Sequence, residues 1–127
     1  MTFLHLVVLI TGGTGLNTAE LFLPSNGTTC ILPALPENRN RHTVDNNILC
    51  GGFNTNNCLL WSPDSGTWED WGLDVDRFDH VSWTPSADNS GTYLIGGTYD
   101  DSRTTTTTLV KPDGAHEPGF TLNYNTE

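Results

Sequence analysis

The stretch "NILCGGFNTNNCLLWSPDSGTWEDW", residues 47–71, decides the fold. A short apolar run ends in two glycines. A polar loop follows, then a second apolar run, a Pro-Asp turn and a Trp. Its parts recur along the chain. Glycine pairs stand at Gly12-Gly13, Gly51-Gly52 and Gly96-Gly97, each after an apolar run: "LVVLITGG", "NILCGG" and "TYLIGG". Gly12 and Gly51 are 39 residues apart, Gly51 and Gly96 45. After each pair, a polar loop leads to an apolar run and a proline: "ELFLPS" with Pro24, "LLWSPD" with Pro63 and "TLVKPD" with Pro112. Two markers recurring in step at this period indicate copies of one structural unit.

A third marker precedes two of the glycine pairs. It is Arg-x-x-His: Arg39 to His42 in "RNRH" and Arg77 to His80 in "RFDH". Each opens a strand-like segment. The middle copy then reads as four strands, a at 41–44, b at 47–51, c at 58–62 and d at 67–71. The c–d connection "SPDSGT" has the Pro, Asp and Gly of a tight turn. Four short strands joined this way make an antiparallel meander, which is marginal alone and must stack on neighbours.

The glycine pair after an apolar strand resembles the kelch motif. So do Trp61 seven residues before Trp68 and the upstream Arg-x-x-His. The chain is similar to kelch-repeat proteins over essentially its whole length. The first copy departs in having Phe22 and Cys30 at the aromatic positions, and the third in having Val110. The resemblance implies an all-β fold, about 2.7 four-stranded antiparallel blades of a kelch-type β-propeller. Residues 1–38 would be a partial first blade (strands b, c and d) with its linker, 39–76 a second blade and 77–127 a third. Gly12, Gly13, Gly51, Gly52, Gly96, Gly97, Arg39, His42, Arg77, His80, Trp61 and Trp68 would then be structural repeat positions. The glycines would admit close approach of adjacent blades, and the tryptophans would fill the space between them.

Propellers close with about 4–8 blades. The segment is therefore expected to associate with the remaining blades of a longer propeller or with other copies of itself. Its outer apolar residues, "LVVLI" at the front and Leu109, Val110, Phe120 and Leu122 at the back, are expected to be exposed.

Composition narrows the partners. Five Lys and Arg stand against fifteen Asp and Glu, a formal charge of −10. Such a surface repels phosphate backbones and anionic lipid, so nucleic acid is excluded as a partner. Membrane insertion is not expected either. The apolar run at residues 3–10 is far too short to span a bilayer as a helix. It reads as a buried strand or as the core of a signal peptide. The missing basic residue before it and the "TGGTG" after it favour the strand.

Cys50 at the end of strand b and Cys58 at the start of strand c face each other across one hairpin, a disulfide candidate. Cys30 is left over. Asn26 in "NGT" is an N-glycosylation candidate in the first c–d turn. Together these favour an extracellular or secreted setting. The alternative is a cytoplasmic protein with three reduced thiols.

Catalytic patterns are sparse. The four histidines, His5, His42, His80 and His116, form no metal-ligand spacing. No P-loop or nucleophile-elbow motif occurs, and "TGGTG" lacks the spacing of a dinucleotide fingerprint. No cofactor is expected. The reading favoured is a non-catalytic module that binds another protein through its blade loops: "TGLNTA", "FNTNN", "TYDDSR" and the a–b loop "PSADNSG". Alternatives are a segment of a copper-radical oxidase of the galactose-oxidase type, a carbohydrate-binding module, and a gene fragment without function. For the oxidase, Tyr93, Tyr99 and Tyr124 are the tyrosines on offer, and no His or Cys clusters with them in sequence.

Overall fold

A computed structural model describes residues 7–71, 77–85, 91–99 and 102–123. Every element among these residues is a β-strand, and every pairing is antiparallel. The first sheet has three strands, β1 (Val8–Thr11), β2 (Ala19–Leu23) and β3 (Thr28–Ile31), in that order. The second is a four-stranded meander of β4 (Thr43–Asp45), β5 (Ile48–Cys50), β6 (Cys58–Ser62) and β7 (Thr67–Asp70). A short strand, β8 (Arg77–Phe78), leads to the third sheet. That sheet repeats the meander with β9 (Val81–Trp83), β10 (Thr92–Ile95), β13 (Thr106–Val110) and β14 (His116–Thr121).

The strands expected at 41–44 and 47–51 are shorter in fact, for backbone reasons. Arg41 has φ 60, so the extended chain starts only at Thr43. Asn46 and Asn47, at φ 52 and 63, form the two-residue turn whose positive φ matches strand twist. Strand β5 ends at Cys50 because Gly51 and Gly52 leave extended geometry, at φ 69 and 125.

The loop "TYDDSR" holds more structure than the sequence suggested. Strands β11 (Thr98–Tyr99) and β12 (Ser102–Arg103) pair with each other, and β11 also pairs with β8. In the second repeat a single bond stands at the same place, from the Phe53 amide to the Asn40 carbonyl, 3.0 Å. Most of "PSADNSG" lies outside the described residues, as do His5 and Tyr124.

The core lies between sheets. Ile48, Cys50 and Cys58 of the second sheet pack with Leu94 and Val110 of the third, and Leu60 and Trp71 close over them. On its other side the second sheet buries Leu49 and Leu59 against Leu35, with Val44 and Trp68 at the margin. Leu35 belongs to the linker, which is bonded back to the first sheet by its amide to the Asn17 carbonyl, 2.7 Å. One expectation fails here. Leu109 and Val110 are buried, at 7% and 0% exposure, because β13 lies inside its sheet and Val110 faces the second sheet. Val7, Val8 and Ile10 of "LVVLI" and Phe120 are exposed as expected, and Ile31, Val81 and Trp83 are exposed besides.

Candidate functional site

The first two glycine pairs meet the Arg-x-x-His segments where one sheet passes to the next. The Gly13 amide donates to the Arg39 carbonyl at 2.8 Å, and the Gly52 amide to the Arg77 carbonyl at 3.0 Å. The same contact thus recurs one repeat later. The first glycine of each of these two pairs is pressed against the same segment. A Cβ on Gly12 would sit 2.3 Å from the Arg39 carbonyl oxygen, and one on Gly51 2.2 Å from that of Arg77. No side chain fits there.

The arginine side chains turn back into their own sheets. Arg39 Nη1 donates to the carbonyls of Gly51 and Asn57, at 2.9 and 2.8 Å, and Nη2 to Glu37 and Asn57 side chains. Arg77 Nη1 donates likewise to the carbonyls of Gly96 and Thr106, at 2.7 and 3.0 Å. Both residues are 1% exposed. Each guanidinium ties together the two ends of the loop that joins strands b and c. Burial lowers the Arg39 pKa, and the Glu37 carboxylate opposes that shift. The sequence marked these arginines as repeat positions but gave no sign of this task.

The histidines sit behind the glycines. His42 Nε2 bonds Thr11 Oγ1 at 2.8 Å, and His80 Nε2 bonds Thr43 Oγ1 at 2.7 Å. Thr11 precedes Gly12 directly. The residue before Gly51 is Cys50, which has no hydroxyl, and its cross-strand neighbour Thr43 supplies one. Both Nδ1 atoms are buried without a partner among the described residues. Burial, then Arg77, pushes the His80 pKa down to about 4. Burial and Arg39 lower that of His42 in the same direction. Burial thus favours the neutral form of both rings.

The exposed chemistry lies just outside this junction, at the end where the b–c loops emerge. Arg41 stacks its guanidinium over the rings of Phe53 and Phe78, 5.4 and 4.7 Å from the centroids. The two rings meet edge to face at 5.5 Å. Asp79 takes Arg41 in a fork, with Nε to Oδ1 at 2.9 Å and a second bond from Nη2 to Oδ2. The fork holds the Asp79 carboxyl below its ordinary range and raises Arg41. Phe53 and Leu16, both from b–c loops, are 45% and 49% exposed. Arg41 and Asp79 occupy equivalent repeat positions, so opposite charges pair between successive copies.

Trp61 is buried and lies 5.3 Å from Trp68. Trp68 is half-buried under the linker, donating from Nε1 to the Pro33 carbonyl at 2.9 Å. The tryptophan that reaches the contact with the third sheet is Trp71, which the sequence reading passed over.

Cys50 and Cys58 form a disulfide, with Cα atoms 4.1 Å apart, and Cys30 is free and exposed. The two cysteines are directly opposed in the β5–β6 ladder at a closely spaced, non-hydrogen-bonded pair. Asn26 is exposed in the β2–β3 turn. Among the described residues, no group of three or more His, Cys, Asp and Glu is placed to hold a metal ion. No helix among them is long and apolar enough to cross a membrane. The chain matches no known protein-family model and no curated protein sequence.

Proposed function

We propose that the chain is a segment of a kelch-type β-propeller, with sheets one to three as successive blades, and that it is a non-catalytic protein-binding module. The observation that carries this reading is the repeated junction, in which the second glycine of one sheet bonds the arginine carbonyl of the next. It supports blades arranged by one common rotation, with their b–c loops gathered at one end. The Arg41, Phe53, Phe78 and Asp79 cluster lies at that end. Arginine and aromatic residues held rigid before binding are the composition of interface hot spots. Two of the five cationic side chains, Arg39 and Arg77, are buried, so the outer surface is strongly acidic. A protein partner with a basic surface suits it. The disulfide supports an extracellular or secreted protein, since such bonds persist in oxidising compartments.

The test is photo-crosslinking from position 53, with position 64 in the opposite c–d turn as control, followed by calorimetry with the purified partner. Phe53→Ala and Arg41→Ala should each weaken binding at least about tenfold, the scale of a hot-spot residue. Crosslinks from position 64 alone, or affinity unchanged in both variants, would overturn the reading.

One observation favours a carbohydrate-binding module instead. Trp83 lies stacked on Tyr93 at 5.8 Å with a 23° interplanar angle, Phe120 is 5.5 Å further on, and Trp83 and Phe120 are exposed. On the propeller reading this row receives the next blade. Saccharide binding that quenches tryptophan fluorescence and disappears in Trp83→Ala would select the second reading.

A further inference from the structure

We propose that Asn26 is an N-glycan acceptor, and that the β2–β3 turn is built to present it. The turn is closed by the Gly27 amide donating to the Leu23 carbonyl at 2.9 Å, with Gly27 at φ 69. Residues 24–30 are all exposed, and a Cβ on Gly27 would meet nothing within 4 Å. The turn is therefore open to solvent, where a transferase can approach it.

The sequon itself is ordered. Asn26 Oδ1 accepts from both the Thr28 amide, at 3.1 Å, and the Thr28 hydroxyl, at 2.6 Å. Both bonds take the oxygen of the side-chain amide. Nδ2, on an exposed residue, has no partner among the described residues. The middle copy shows what the position needs structurally. There Ser65 and Gly66 stand in the same turn, with Gly66 at φ 68 and its amide on the Ser62 carbonyl at 2.8 Å. The middle copy carries the same Gly-Thr, as Gly66-Thr67, after a serine, so of the three sequon residues the asparagine is the one that the turn itself does not require.

The chemistry is a transfer from a lipid-linked oligosaccharide diphosphate, which the secretory compartment supplies. Asn26 Nδ2 attacks the anomeric carbon of the first sugar. The bond from that carbon to the diphosphate oxygen breaks, and the lipid diphosphate leaves with the electron pair. The amide nitrogen keeps one proton and gives up the other, through a general base of the transferase, to solvent. The disulfide between Cys50 and Cys58 independently fits a chain matured in that compartment.

In a meander, consecutive connections lie at opposite ends of their shared strand. The glycan would thus project from the end opposite the b–c loops and leave the Arg41–Phe53 cluster uncovered. This inference does not rest on the propeller reading.

The test is translation of the full chain behind an added signal sequence with endoplasmic-reticulum microsomes. Protease-protected chains are then analysed by peptide mass before and after N-glycan release by the amidase. Protected wild-type chains should carry one glycan, and release should convert Asn26 to Asp. Asn26→Gln and Thr28→Ala should lose the modification, while Thr28→Ser keeps it. Protected wild-type chains with unmodified Asn26 would overturn the proposal, as would a glycan that persists in Asn26→Gln.

Discussion

At the scale of single residues, two glycines with the same backbone angle have different costs of substitution. Gly51 has φ 69 and Gly66 φ 68. An added Cβ at Gly66 meets open space, so Gly66→Ala should cost only the left-handed strain, about 1–2 kcal/mol. At Gly51 the Cβ would sit 2.2 Å from the Arg77 carbonyl oxygen. Forced overpacking adds about 1–3 kcal/mol to the same strain. Urea unfolding of the two variants should therefore place Gly51→Ala clearly below Gly66→Ala, and equal midpoints would mean the sheets are not in contact there. The buried histidines make a pH prediction. His80 is held near pKa 4 when folded, while an unfolded histidine titrates near ~6.5. Between these values the unfolded chain binds more protons, so stability rises with pH. The His80 contribution is complete above about pH 6.5 and lost as pH falls towards 4, about 3 kcal/mol in all. His80→Gln should flatten the stability profile in this window, and His42, shifted the same way, adds slope of the same sign. A profile unchanged by His80→Gln would show that the ring is solvated.

At the scale of elements, the disulfide closes the β5–β6 hairpin across eight positions. Loop-closure entropy puts its contribution at about 2–3 kcal/mol. Because Cys50 and Cys58 also pack on Leu94 and Val110, reduction should loosen the second sheet from the third as well. Equilibrium unfolding with and without reductant measures this. No change on reduction would mean that packing, not the crosslink, sets the hairpin. The strands of the middle repeat were legible in sequence, since turn residues bracket short apolar runs. Cys58–Ser62 begins and ends where "CLLWS" does. What could not be read is the pairing of β8 with β11. Its two-residue strands are too short for any alternation of polar and apolar positions to register. The roles of Arg39 and Arg77 were also hidden, because a buried arginine looks in sequence like any surface cation. Their partners are main-chain carbonyls, which every residue carries.

At the scale of the whole molecule, the sheets repeat one junction and differ in what lies outside it. Val8 and Ile10 on the first sheet and Val81, Trp83 and Phe120 on the third are more than two-fifths exposed, and Ile31 is 90% exposed. Apolar patches of this kind mark association surfaces. Light scattering on the purified 127-residue chain should show self-association that grows with concentration. A monodisperse monomer with one sharp thermal transition would mean the three sheets are sufficient by themselves. The aromatic cluster at Arg41 and the repeated glycine contacts stand or fall with the junction that positions them. Its most direct measurement is native-state amide hydrogen exchange at Gly13 and Gly52, the donors to the Arg39 and Arg77 carbonyls. If successive sheets are locked as described, both amides are protected as strongly as those of Leu49 and Leu59 in the buried strands, and they open with the same free energy. Exchange of either glycine at the rate of Gly15, in the exposed loop, would contradict the account.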